Sequence, residues 1–124
     1  MSFFKRIFLF LVFFGGTVGA FSQAEKTPKM HDIFLAFIQK KLALNPQESG
    51  RMRPLVIRYF NETRKIHQNF TDPLIREQQK IDLKIRYRNL FSPIIGKDRS
   101  NRFFAEEQLF RKRVREELRQ RKKV

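Results

Sequence analysis

Cysteine is absent from this 124-residue chain, and so is tryptophan. Without cysteine there is no disulfide to stabilise a small domain, no catalytic thiol and no thiolate ligand for a metal. Acidic residues are scarce as well, since 12 of them stand against 27 lysines and arginines, which gives a formal net charge of +15. A small domain of this composition must gain its stability from helix packing, from dimerisation, or from both.

Motifs for catalysis are also missing. The chain has no Gly-rich phosphate loop and no serine, histidine and aspartate in a recognisable catalytic pattern. The two histidines are His31 and His67, and His67 has no second histidine one turn away, whereas zinc needs three or four converging ligands. Four carboxylates of the last helix lie among arginines, where ion pairing at i,i+4 explains them, and they are Glu106, Glu107, Glu116 and Glu117. We therefore expect a protein that is not an enzyme and has no cofactor or metal.

The N-terminal residues have the three-part layout of a secretory signal peptide. A basic start is followed by the apolar run IFLFLVFF (7–14) and then by small residues in GGTVGAFSQA (15–24). The alternative is an uncleaved membrane anchor, but a span needs about 20 apolar residues and this run is shorter. Cleavage points with suitable small residues follow Ala20, Ser22 and Ala24, of which we favour Ser22.

Export and cleavage define the expected organisation of the chain. Cleavage removes two cations, Lys5 and Arg6, so 25 basic and 12 acidic residues remain and the mature charge is about +13. The remaining residues are enough for one small domain. The expected parts are a signal peptide (1–22), a flexible leader (23–29), an all-helical domain (30–121) and a basic tail (122–124).

The periodicity from residue 30 onward is helical, with apolar residues at steps of three and four and no alternating strand. Asn45 and Asp72 are good N-caps, each is followed by a proline suited to the first turn, and Glu48 completes a capping box. Pro54 predicts a bend or a late start in the second helix. The expected helices lie at about 30–44, from 46, from 73 to a break at Ser92-Pro93, and at about 97–121. The predicted fold is all-α, a small helical hairpin or four-helix protein.

Each predicted helix has an apolar stripe that must pack against another helix or a second copy. In the third helix we expect the buried stripe to be Leu74, Gln78, Ile81, Ile85 and Leu90, widened by Leu83 and Tyr87. Since a thin chain has few ways to cover the wide faces of its second and third helices, we expect an elongated homodimer. The candidate dimer contacts are Met52, Leu55, Tyr59 and Phe60.

Two stretches share one pattern, LNPQESGRM (44–52) and IGKDRSNRF (95–103). Each has an aliphatic residue, a capping position, a polar stretch, an arginine and a large apolar residue, and two ordinary helix starts are enough to explain this. The first stretch also resembles the Leu-Thr-x-x-Gln motif of the Spy/CpxP-like periplasmic proteins, which occurs twice in that family. The residues at the motif and cap are Leu44, Asn45, Pro46 and Glu48.

A longer stretch, FIQKKLALNPQESGRMRPLVIRYFNE (37–62), looks like the short exported proteins labelled sensors of ECF-type sigma factors. The matching residues are Phe37, Leu42, Leu44, Pro46, Glu48, Met52, Pro54, Leu55 and Tyr59. Asn45 stands in place of the motif threonine and Glu48 in place of its glutamine. In the second stretch, IGKDRSNRF (95–103), Gly96 and Arg99 hold these positions. The resemblance covers about 33–118 and implies two curved monomers packed antiparallel.

The resemblance implies an exported protein of the Gram-negative periplasm with one of two roles. One role is chaperone-like binding of unfolded or acidic envelope polypeptides. The other is that of a regulatory partner for one protein in an ECF-sigma-type envelope signalling pathway. Both need a surface for polypeptide, and arginine can pair carboxylates and stack on rings. The candidate polypeptide-binding residues are Arg51, Arg53, Arg58, Arg64, Arg86 and Arg88.

Two other partners fit the strong positive charge. The basic C-terminal helix could bind an anionic membrane surface. Nucleic acid is allowed by charge alone, but no base-reading motif is present and export argues against it.

Overall fold

The computed structural model of the protein describes residues 29–123, which form four α-helices and no β-strand. The helices are α1 (Met30–Lys41), α2 (Pro46–Asn69), α3 (Pro73–Ile95) and α4 (Lys97–Lys123). The predicted all-α fold is confirmed. Within the described part of the chain, no helix is long and apolar enough to cross a membrane. The expected signal peptide, and the expected leader apart from Lys29, lie outside the described residues.

The starts of α2 and α3 are capped as the sequence predicts. The Asn45 side chain accepts the Glu48 backbone N–H at 2.7 Å, and the Glu48 side chain accepts the Asn45 N–H at 3.1 Å, which completes the capping box. At α3, the Asp72 side chain accepts the N–H groups of Leu74 and Ile75 at 2.9 and 3.1 Å. These contacts satisfy donors that have no partner within a helix.

Three predicted boundaries differ from the structure. α1 ends at Lys41 because Ala43 takes a left-handed φ of 53°, which lets the Leu44 N–H donate to the Gln39 carbonyl at 2.9 Å in a Schellman-type end. α3 continues through Pro93 to Ile95, since one missing donor near the helix end costs less than the burial of Ile95 stabilises. α4 runs to Lys123, so the expected tail is helical over residues 122–123. α2 also passes through Pro54 without a break.

All four helices contribute to one aromatic core. Phe103 of α4 lies at the centre, with its ring centroid 5.4 Å from that of Phe34 and 4.6 Å from that of Phe91. Inclined ring pairs of this kind are favourable beyond the area they bury. The largest fully buried side chains are Tyr59, Tyr87, Phe34, Phe37, Phe91, Phe103, Phe110, Ile38, Leu42, Met52, Leu83 and Val56.

The predicted main stripe of α3 is wrong, and of the predicted buried residues only Leu83 and Tyr87, which were expected to widen it, are buried. Leu83, Tyr87, Phe91 and Ile95 are buried, whereas the apolar residues of the expected stripe are exposed. The helix has apolar residues on two opposite sides, and the core takes the side with the large rings because Tyr87 and Phe91 bury more area. The exposed members of the expected stripe are Leu74, Gln78, Ile81, Ile85 and Leu90.

The two stretches with a shared pattern both open a helix, and they meet in space. Arg99 and Glu48 hold equivalent positions in them and form a two-pronged ion pair, with Nη2–Oε2 at 2.6 Å and Nη1–Oε1 at 3.2 Å. The hydrogen bond from Arg99, followed by that from the Asn45 backbone, holds the pKa of Glu48 below its usual value. Arg99 also donates to the carbonyls of Leu42 and Ala43 at 3.3 and 3.4 Å. The motif therefore joins the α1–α2 turn to the start of α4.

Candidate polypeptide-binding groove

A groove of about 900 Å³ runs between the C-terminal half of α2, the N-terminal half of α3 and the middle of α4. Tyr59, Phe60 and Thr63 of α2 lie at its base, and the Arg111 guanidinium stands 4.7 Å from the centroid of the Phe60 ring. This is the distance of a cation–π contact. The base of the groove is therefore aromatic and already associated with an arginine.

Cations dominate the sides of this groove. Lys80 and Lys84 lie one turn apart on α3, and Arg111 and Arg115 lie one turn apart on α4, so each helix presents a pair at i,i+4. The basic side chains that line the groove are Arg64, His67, Lys80, Lys84, Arg111, Lys112 and Arg115. The lining carboxylates are those of Glu77 and Glu107. The groove is therefore strongly electropositive.

His67 reflects the electrostatic potential of the groove. Partial burial, followed by the charges of Lys80, Arg76 and Arg111, lowers the pKa of His67 below its ordinary value. A cation near other cations is harder to form. A bound carboxylate would reverse this effect, so the site favours an anionic ligand.

Under the groove, Glu107 is paired on both of its oxygens. The Tyr59 hydroxyl donates to Oε1 at 2.6 Å, and Arg111 Nε donates to Oε2 at 2.7 Å. Burial, and then the charge and hydrogen bond of Glu107, raise the pKa of the Tyr59 hydroxyl far above its ordinary value. We call Tyr59, Glu107 and Arg111 the inner network. It fixes Arg111 over the Phe60 ring.

A second network of the same chemistry links α2 to α3. The Tyr87 hydroxyl donates to Glu62 Oε2 at 2.6 Å, and Arg86 Nη1 donates to Glu62 Oε1 at 2.7 Å. Burial raises the pKa of Glu62, but the hydrogen bonds from Tyr87 and Arg86 and the charges of Arg86 and Arg58 outweigh it, so the pKa is lowered. We call Tyr87, Glu62 and Arg86 the outer network. The Tyr59 and Tyr87 rings touch, with centroids 5.4 Å apart.

No match to this chain is found among protein-family models, curated proteins or solved structures. The groove must therefore be interpreted from its own charges and geometry. Among the residues that the structure describes, no three histidine or carboxylate side chains form a group that could hold a metal ion.

The six predicted arginines do not form one surface. Arg64 lines the groove, whereas Arg53 pairs with Asp32 of α1 at 2.7 Å and Arg86 belongs to the outer network. The remaining three predicted residues are not part of the groove lining, and they are Arg51, Arg58 and Arg88. The prediction treated the cations of α2 and α3 as one group, but residues such as Arg53 and Arg58 lie on different faces of one helix.

The predicted dimer contact needs a correction. Met52 and Tyr59 are buried within a single chain, so they are not available to a second copy. Leu55 and Phe60 are partly buried against the same core. The apolar stripe of α2 therefore belongs to the fold of one chain. The homodimer stays a prediction, without these residues as its contact.

Most of the residues that line the groove were not predicted as a site from the sequence. Lys80, Lys84, Lys112 and Arg115 were recognised only as part of the general positive charge. Lys80 and Lys84 are spaced at i,i+4 and Lys112 and Arg115 at i,i+3, which indicates two cationic lines, one on α3 and one on α4. That these lines face each other depends on the packing of α3 against α4, and on the α3 face that the periodicity assigned incorrectly.

Proposed function

We propose that the protein is a non-enzymatic, chaperone-like binder of unfolded or acidic polypeptide segments, which it holds in the groove between α2, α3 and α4. The observation that carries this proposal is the combination of an aromatic base at Phe60 with cationic sides. An unfolded segment offers apolar side chains and carboxylates, and this groove has a complement for each.

The geometry favours weak and broad binding. The groove has room for a few side chains in its volume of about 900 Å³, and long lysines and arginines adapt to many arrangements of carboxylates. Most of its attraction is electrostatic, so binding should fall with ionic strength. Such a site recognises a class of segments, such as acidic stretches with an aromatic or aliphatic residue.

The proposed setting is the Gram-negative periplasm under envelope stress. Support comes from the signal-peptide layout of residues 1–22 and from the resemblance to the Spy/CpxP-like proteins. A dedicated regulatory partner in an ECF-sigma-type pathway is the second candidate. The fixed position of Arg111 over Phe60 favours it, because a rigid contact can select one partner. Suppression of aggregation of unrelated denatured proteins supports the first role, and capture of a single envelope protein supports the second.

The test compares two variants that each lose two positive charges. Lys112→Gln with Arg115→Gln removes cations from the groove, and Arg51→Gln with Arg58→Gln removes exposed cations outside it. The ligand is a labelled, unstructured peptide that carries glutamates and a phenylalanine, with a lysine-for-glutamate peptide as its control. We expect the groove variant to bind the acidic peptide about tenfold more weakly, and the control variant to stay within about twofold of the original protein.

Equal weakening in the two variants would contradict the proposal, because it would mean that net charge alone attracts the peptide. Unchanged binding by the groove variant would also contradict it. Circular dichroism and the urea midpoint of both variants check that the fold is retained.

A further inference from the structure

The outer side of α3 is apolar and exposed. Leu74, Ile81 and Ile85 are 81%, 49% and 45% exposed, and they lie in one line because they follow at steps of seven and four. This line is on the opposite side of the helix from the buried residues Leu83 and Tyr87. We call it the outer stripe, and its members are Leu74, Gln78, Ile81 and Ile85.

Neither the core nor the groove accounts for the outer stripe. The core uses the opposite side of α3, and the groove uses its flank at Glu77, Lys80 and Lys84. From Leu74 to Ile85 the stripe extends about 17 Å along the helix axis. A continuous apolar line of this length, rimmed by polar residues, is typical of an interaction surface.

The charges beside the outer stripe indicate what it contacts. α3 has five cations and two acids. By helical position, Lys84 and Arg88 lie along one edge of the stripe together with Glu77, and Arg86, which pairs with Glu62, lies on the other side beyond the acidic Asp82. A second copy has the same strongly positive charge as the first, since the formal net charge of each chain is +15, so the two chains repel each other. An anionic surface meets no such repulsion.

We propose that the outer stripe is a membrane-docking face, which lays α3 along the surface of an anionic bilayer. Apolar side chains enter the boundary between headgroups and acyl chains, while Lys84 and Arg88 beside the stripe reach the lipid phosphates. The stripe has few apolar residues, so docking is reversible and depends on anionic lipid. This proposal does not rest on the polypeptide-binding function, because the apolar residues of the stripe lie outside the groove, which it meets only at Lys84, and its ligand is different.

The experiment measures cosedimentation of the purified protein with vesicles of phosphatidylglycerol and phosphatidylcholine, and with vesicles of phosphatidylcholine alone. Ile81→Ser with Ile85→Ser removes the stripe without changing charge. Leu109→Ser with Leu118→Ser is the matched control on α4, where these leucines are 38% and 48% exposed. We expect the protein to bind the anionic vesicles, the stripe variant to bind them at least about fivefold more weakly, and the control to stay within about twofold.

Four results would overturn the proposal. One is an equal loss of vesicle binding in both variants. Another is a loss of vesicle binding in the α4 control alone, which would place the lipid contact on the basic C-terminal helix. A third is that the original protein does not bind anionic vesicles. A stripe variant that keeps vesicle binding but loses self-association in sedimentation would likewise overturn it and assign the stripe to a second copy. The stripe variant should bind the acidic peptide as well as the original protein does, and this measurement distinguishes loss of lipid docking from loss of polypeptide binding.

Discussion

The inner and outer networks are built from the same three residue types in nearly the same geometry, but their glutamates differ in access to water. In each, a tyrosine hydroxyl lies 2.6 Å from one glutamate oxygen and an arginine nitrogen lies 2.7 Å from the other. The side chain of Glu107 is 4% exposed, whereas that of Glu62 is 33% exposed. α2 contributes the tyrosine to the inner network and the glutamate to the outer one.

This difference teaches that hydrogen-bond lengths alone do not determine what a network contributes to stability. When a partner is removed near water, the remaining groups bind water and most of the loss is recovered. When a partner is removed in the interior, the remaining groups stay without hydrogen bonds in a region of low dielectric constant. The inner network should therefore be far more sensitive to substitution.

The largest expected effect comes from removal of the central carboxylate. We expect Glu107→Ala to lower the free energy of unfolding by about 3 kcal/mol, since it leaves the buried Tyr59 hydroxyl without an acceptor. For Glu62→Ala we expect about 1 kcal/mol, because the Glu62 side chain is 33% exposed and water can enter the space that its carboxylate leaves beside Tyr87 and Arg86. Urea unfolding followed by circular dichroism measures both values. Equal losses in the two variants would mean that burial does not set the difference.

A smaller effect is expected when only the hydroxyl is removed. Tyr59→Phe keeps the ring contacts of the core but takes one donor from the buried Glu107 carboxylate, so we expect a loss of about 2 kcal/mol. Tyr87→Phe should lower the free energy of unfolding by about 0.5 kcal/mol, because Arg86 and water still donate hydrogen bonds to Glu62. The same urea experiment applies. A Tyr87→Phe variant that is the less stable of the two would reverse the proposed order.

The inner network also illustrates what the sequence could and could not reveal. The helices and the caps at Asn45 and Asp72 follow from local rules, since a cap acts within three residues. Glu107 lies 48 residues from Tyr59, and its position after Phe103 and Phe104 in an apolar stripe was the one available sign of its burial. A carboxylate in an apolar stripe predicts a buried partner, but no local rule identifies that partner.

The buried face of α3 and the groove could not be predicted from the sequence for a related reason. Apolar residues occur on both sides of α3, so periodicity alone left two candidate faces, and the choice between them depends on which rings meet Phe103 and Phe104. With the observed face of α3 turned to the core, Lys80 and Lys84 line the side of the groove. A single misassigned helix face thus hides both the cationic groove and the exposed outer stripe.

The last prediction uses light absorption, because the chain has two tyrosines and no tryptophan. Each tyrosine belongs to one network, so tyrosinate absorbance at alkaline pH reports on the two networks and on nothing else in the protein. Burial, followed by the hydrogen bond and charge of Glu62, raises the pKa of Tyr87 to about 12, and the pKa of Tyr59 is raised further. In the unfolded chain both should titrate near pH 10.

The sign of the effect on stability follows from these shifts. A phenol whose pKa is raised by folding stabilises the folded state fully below about pH 10, and this contribution is lost as the pH rises from 10 towards 12. We expect the native protein to show almost no tyrosinate at pH 10.5, and then to ionise Tyr87 before Tyr59 as the outer network opens first. Tyr87→Phe should remove the earlier step and Tyr59→Phe the later one. Native tyrosines that both titrate near pH 10 would show that neither hydroxyl is held by its carboxylate.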